Sequence, residues 1–243
     1  MKKAIGYVYV IAAAVCWGFL GLFNRVLTAA GVSLLNMMPL RFGGTAILFT
    51  VFCMMFKQQV FHIKLRHLPI FLGSGLISML LVLCGCALVS GIVGSDVGIS
   101  LEGLLMGLAS ELCYGGYTIF THYGMRYCDS FTMAYWTFLI AGIASLFLAD
   151  GPALLSALAE PRTGLAALGL MVMGTALPFT LYTKGLETVE SGKAAIIANI
   201  EPVMSAVIGV TVFQETLDLW TLVGIVLVLS GVVVLACEKE PDK

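Results

Sequence analysis

The sequence predicts an all-α membrane protein of eight transmembrane helices, three in a first unit and five in a second that repeats it. Three observations predict this. Hydrophobic residues make up 60% of the 243, charged ones only 11%, and the mean hydropathy is +1.01. A soluble domain carries roughly 25% charged residues, so this chain lacks the polar surface to cover a core. The apolar runs reach about 20 residues without period-2 alternation, which suits membrane helices and not barrel strands. The basic residues, finally, fall on alternate connections.

Taken in order, the helices are expected at 6–26, 37–56, 68–94, 101–122, 131–149, 164–187, 193–213 and 219–237. Met1-Lys2-Lys3 ahead of an apolar run imitates a signal peptide. The run continues past Trp17 to about Val26, longer than a signal core, and so reads as the first span. Glycine and polar clusters separate the rest: Thr28 to Ser33, Lys57 to His67, Gly94 to Ser100, Tyr127 to Ser130, Asp150 to Thr163, Glu187 to Gly192 and Gln214 to Asp218. With both termini cytoplasmic, Lys2, Lys3, Lys57, Lys64, Arg66, Arg126, Lys184, Lys193, Lys239 and Lys243 lie inside. Only Arg25, Arg41 and Arg162 lie outside, as the positive-inside rule requires.

An internal repeat organises these helices. Ala12 to Gly18 lies over Ala109 to Gly115 at an offset of 97, and Arg66 to Leu80 over Arg162 to Ala176 at an offset of 96. Leu81 to Gly85 then matches Leu227 to Gly231 at an offset of 146, and the three matches keep the same order. The jump from 96 to 146 leaves the 50 residues 177–226 without a counterpart in the first half. Residues 5–94 are therefore a truncated repeat of three helices, 101–237 a complete repeat of five, and 238–243 a cytoplasmic tail. Five helices is an odd number, so the parent repeats enter the membrane inverted, an architecture recurrent in secondary transporters.

Particular residues carry a family resemblance. Ala14-Val15-Cys16-Trp17-Gly18-Phe19 and Leu40-Arg41-Phe42 look like the opening of an EamA-type repeat of the drug/metabolite transporter superfamily. Ala198-Asn199-Ile200-Glu201-Pro202-Val203, then Phe213-Gln214-Glu215-Thr216-Leu217 and Gly224 to Gly231, is similar to the family's ending, with Lys184-Gly185-Leu186 upstream. The resemblance implies a multi-pass permease or exporter of the bacterial inner membrane, moving small polar metabolites such as amino acids or related compounds. Usual members have ten helices, and this chain departs from them by the missing segment.

An ionisable group near the bilayer centre costs a few kcal/mol and marks a site by default. Glu111 sits halfway along 101–122, with Tyr114, Thr118 and His122 at +3, +7 and +11 on one face and Leu105, Leu108 and Leu112 around it. That face should avoid lipid, either as a substrate or proton contact or as a carboxyl tied into the bundle. Glu201 directly precedes Pro202, which bends its helix and frees a carbonyl, with Asn199 nearby. Either this is part of a midplane site or it shapes packing. Arg41 reads as an outer headgroup anchor more readily than as a ligand contact. Trp17 is deep in the first span and lines a pathway or simply packs. Tyr182 is a lesser pathway candidate. Glu215 and Asp218 read as solvated turn residues.

Other function classes lack their motifs. No GxxxxGK[ST], HExxH or GxSxG is present, and His62, His67 and His122 have no ligand spacing. The seven cysteines are scattered through apolar runs, so neither metal nor cofactor is expected and the chain does not read as an enzyme. Net charge is −1, which leaves lipid and a small-molecule substrate as partners and not nucleic acid. Two functions stay open: transport by alternating access, or a shortened, non-transporting membrane protein that serves as an assembly partner or is vestigial. A homodimer is one arrangement that would restore the missing helices.

Overall fold

Helices, interrupted where proline or close packing demands it, account for the architecture in the computed structural model, which describes residues 2–63, 65–89, 101–216 and 219–237. Lys64, Asp218 and the tail 238–243 lie outside the described residues, as does the end of the third expected helix. Helix occupies each of the eight expected stretches, and no strand occurs among the described residues.

The chain starts as α1 (Lys2–Gly18) and continues after a break at Phe19 as α2 (Leu20–Ala29). Gly31 turns the chain with a φ of 83°, and Ser33 caps α3 (Leu34–Met38) by accepting from Asn36 N at 3.2 Å. A π-turn over Pro39–Gly43 leads into α4 (Gly44–Phe56). After 3₁₀ turns comes α5 (Leu68–Val89). The second half holds α6 (Leu101–Gly124) and α7 (Ser130–Ser145), the latter capped by Asp129. The expected loop 150–163 is instead partly helical. Asp150 accepts from Ala153 N and starts α8 (Gly151–Leu158), with Pro152 placed where its missing N–H costs nothing. There follow α9 (Pro161–Met171), a second π-turn at Val172–Ala176, α10 (Leu177–Gly185), α11 (Ser191–Ala198), α12 (Ile200–Phe213) and α13 (Leu219–Cys237).

Among the described residues four rods are long and apolar enough to cross a membrane: Ala4–Ala29, Leu35–Phe56, Pro161–Gly185 and Ser191–Phe213. Leu68–Leu80, Ser130–Ser145 and Thr221–Val234 are shorter apolar helices. Large apolar side chains cover the outside. Leu112 is 78% exposed, Val234 70% and Phe147 90%. Surface of that kind is stable against acyl chains and not against water.

Helices approach closely where glycine permits. A Cβ on Gly142 of α7 would lie 2.9 Å from Gly43 Cα in the first π-turn, so backbone meets backbone there. Gly185 of α10 packs on Val10 and the Gly6 carbonyl of α1, and Gly18 of α1 packs on Met204 of α12. In this way α1 is held between α10 and α12, while α5 lies against α6 and α7.

Candidate solute site

All four long rods are irregular, and proline stands at or beside three of the irregularities. In Ser191–Phe213, Pro202 cannot donate to the Ala198 carbonyl. The rod breaks at Asn199, whose Nδ2 donates to the Ala195 carbonyl at 3.4 Å. In Pro161–Gly185, Pro178 follows the π-turn in which Thr175 Oγ1 donates five residues back to the Leu170 carbonyl at 2.9 Å. Thr45 Oγ1 of α4 satisfies the neighbouring Met171 carbonyl at 3.1 Å. In Leu35–Phe56 the π-turn starts at Pro39 and contains Arg41. In Ala4–Ala29 the break at Phe19 comes directly after Trp17 and Gly18. Irregular backbone at membrane depth is tolerated only inside protein or along a cavity, and π-turns frequently mark functional positions.

Aromatic rings gather beside these breaks. Trp17 lies at the middle of its rod and is 4% exposed. Its ring centroid is 5.0 Å from Phe179, 5.3 Å from Tyr182 and 6.4 Å from Tyr114. Tyr114 and Tyr182 stand 6.0 Å apart, while Tyr117 and Phe138 close on Phe179 from the other side at 5.5 and 5.0 Å. Thr118 Oγ1 donates to the Tyr114 carbonyl at 2.9 Å and lies 3.2 Å from the Tyr182 hydroxyl. The buried indole Nε1–H of Trp17 has no hydrogen-bond partner among the described residues. A buried donor left in that state costs about 1–3 kcal/mol.

Charge of both signs borders this group. The Arg41 guanidinium sits 5.8 Å from the Phe42 ring centroid and 6.0 Å from that of Phe179. It therefore lies against rings of the bundle, within the π-turn Pro39–Gly43. Glu201, half-buried, is within electrostatic range of Tyr114. Chemically the arrangement offers an apolar wall, one unused N–H donor, a guanidinium and a carboxylate. That set suits a small solute with both polar and apolar parts.

Of the residues singled out in the sequence, the structure brings together Trp17, Tyr114, Thr118 and Tyr182, with Arg41 and Glu201 beside them. Asn199 and Pro202 are exposed and act on the backbone break. The Glu111 side chain lies outside the described residues. His122, expected on the polar face, is exposed, whereas Leu105, Leu108 and Leu112 do face outward. Phe179, Tyr117 and Phe138 went unnoticed in the sequence. The available signal was spacing, since Phe179 lies one turn from Tyr182 and Tyr117 one turn from Tyr114.

Ion pairs join the halves at opposite ends of the bundle. At one end Arg25 pairs with Glu215 and lies 4.4 Å from the Phe213 ring centroid, so Glu215 is not simply solvated. At the other, Lys57 pairs with Asp129 at 2.5 Å and lies 4.8 Å from the Phe131 centroid. Burial raises the Asp129 carboxyl, but hydrogen bonds from Lys57 and Thr132 outweigh it and hold the group below its ordinary 3.8.

Interrupted apolar rods around a buried aromatic centre are the architecture of a multi-pass α-helical membrane protein. The model of the EamA-like transporter family matches residues 101–237, more than half of the chain. The chain belongs to that family. It is 26% identical over 174 residues to the uncharacterized transporter YwfM of Bacillus subtilis, covering 70% of this chain and 57% of that protein. An uncharacterized transporter of Archaeoglobus fulgidus is 41% identical over 68 residues, covering 28% of this chain and 25% of its own length. The multidrug resistance protein EbrB of Bacillus atrophaeus is 32% identical over 87 residues, covering 35% of this chain and 74% of that protein. The chain thus spans between a quarter and just over half of the two uncharacterized transporters.

Proposed function

We propose that this chain is a secondary transporter of small polar metabolites, amino acids or related compounds, working by alternating access in a bacterial inner membrane with both termini cytoplasmic. The observation that carries this is the unused Trp17 N–H, enclosed by Tyr114, Phe179 and Tyr182 where all four long rods are interrupted. A zwitterion matches the surroundings. Its ammonium group finds ring faces and Glu201, and its carboxylate finds the indole N–H and Arg41. The halves 5–94 and 101–237 act as the moving units. Arg25–Glu215 and Lys57–Asp129 each cross from one to the other, so opening either end breaks one pair while the other holds.

The similarity to EbrB, with the aromatic walls and a carboxylate, favours a second reading in which the solute is a lipophilic cation. Purified chain in proteoliposomes, tested for counterflow against amino acids and against aromatic cations, separates the two. Under the first reading amino acids exchange, and Glu201→Gln and Trp17→Ala each lower the rate at least tenfold. Exchange of cations alone selects the second reading, and no exchange of either class by folded protein rejects both.

A further inference from the structure

We propose a second ligand site, for a phosphate group, in the pocket where the connection 57–67 meets residues 124–132, apart from the aromatic centre. The pocket has a volume of about 660 Å³, and its walls include Lys57, His62, His67, Arg126 and Asp129.

The walls are fixed from beneath. Trp136 Nε1 of α7 donates to the Val60 carbonyl at 3.0 Å, and Val60 is fully buried, which pins the 3₁₀ turn carrying one side of the pocket. On the opposite side the His67 ring lies 4.5 Å from that of Tyr127. The Tyr127 hydroxyl bonds that of Tyr123 at 3.0 Å, and the Arg126 guanidinium sits 5.2 Å from the Tyr123 centroid. The one carboxylate in the wall is already engaged, because Asp129 takes hydrogen bonds from Lys57 and from both the backbone and the side chain of Thr132. Arg126 and Arg66 both act electrostatically on Tyr127, and neither has a carboxylate partner among the described residues.

The pocket therefore sets Lys57 and Arg126 against the single carboxylate of Asp129, beside two imidazoles. That matches a phosphate, whose oxygens accept from several N–H groups at once. Two sources share this chemistry, the headgroup of an anionic phospholipid and a soluble phosphate compound.

Full-length protein supplies the test. Inorganic phosphate is titrated calorimetrically into protein in neutral detergent. In parallel, protein from nanodiscs of phosphatidylcholine, with or without phosphatidylglycerol, is examined by native mass spectrometry for retained lipid. One equivalent of either ligand should bind, at least tenfold more weakly in Arg126→Gln and in His67→Gln, and unchanged in Arg162→Gln, which alters an exposed arginine on α9. Binding in the first arm makes the source a soluble phosphate, and binding only in the second makes it a lipid headgroup. If neither binds with one-to-one stoichiometry, or Arg162→Gln weakens binding as much as the pocket variants, the proposal is overturned. Arg126 is exposed, so its variant should fold, and His67→Gln reports independently if it does not.

Discussion

Replacing Trp17 by phenylalanine separates a side chain held for packing from one held for a solute. Trp17 is 4% exposed and touches three rings, so for pure packing the smaller ring would cost part of those contacts. Each aromatic pair is worth about 0.5–1.5 kcal/mol. Against this, phenylalanine removes a buried N–H that has no partner among the described residues, relieving a penalty of about 1–3 kcal/mol. The two terms have similar size and opposite sign, so Trp17→Phe should leave stability within about 1 kcal/mol of the parent. Trp17→Ala, which relieves the same penalty but forfeits all the ring contacts and leaves a cavity, should be clearly less stable. Transport should respond differently. A hydrogen bond from the indole to a charged solute group is worth about 1.5–3 kcal/mol, so losing it weakens apparent affinity at least about tenfold. Thermal unfolding in detergent gives the first quantity and KM for counterflow gives the second. If Trp17→Phe were as destabilising as Trp17→Ala and left KM unchanged, the indole N–H would have no role in binding and the site would lose its main support.

Gly142→Val places carbon against the Gly43 backbone, which cannot give way, and should cost about 1–3 kcal/mol, read as a lower unfolding midpoint. Pro202→Ala restores a donor for the Ala198 carbonyl and should straighten the rod at Asn199, raising the unfolding midpoint while slowing counterflow. The folded Asp129 carboxyl titrates below its ordinary 3.8, so its stabilisation is complete above that value and is lost as pH falls through the lower, folded one. The pair is about half exposed, so the amount is at most about 1 kcal/mol, and a pH series of unfolding midpoints should show it in the parent and not in Asp129→Asn.

The helices were readable because hydrocarbon leaves the backbone few choices: long apolar runs must satisfy their own N–H and C=O groups. The break beside Pro202 was readable for the same reason, since a missing donor is visible in one letter. The direction of Arg41 was not readable, because it lies in a π-turn packed against Gly142, which is 101 residues away in the chain. The helix at Gly151–Leu158 was missed because Asp150, Gly151 and Pro152 look like loop residues until they are placed at a helix start, where they are favoured. Trp17, Tyr114 and Tyr182 stood out as polar or aromatic residues in unusual places. Phe179 did not, because a phenylalanine in an apolar run is ordinary until three helices bring other rings to it.

Whether solute passes the aromatic centre is tested most directly by its contact with water. In a variant whose native cysteines are replaced by serine, Thr118→Cys should react with a small water-soluble thiol reagent and be protected by a transported solute. Leu227→Cys, on the exposed face of α13, should react only with a lipid-soluble reagent. A Thr118→Cys thiol that no aqueous reagent reaches in the folded, membrane-inserted protein, or that solute never shields, would contradict the pathway described here.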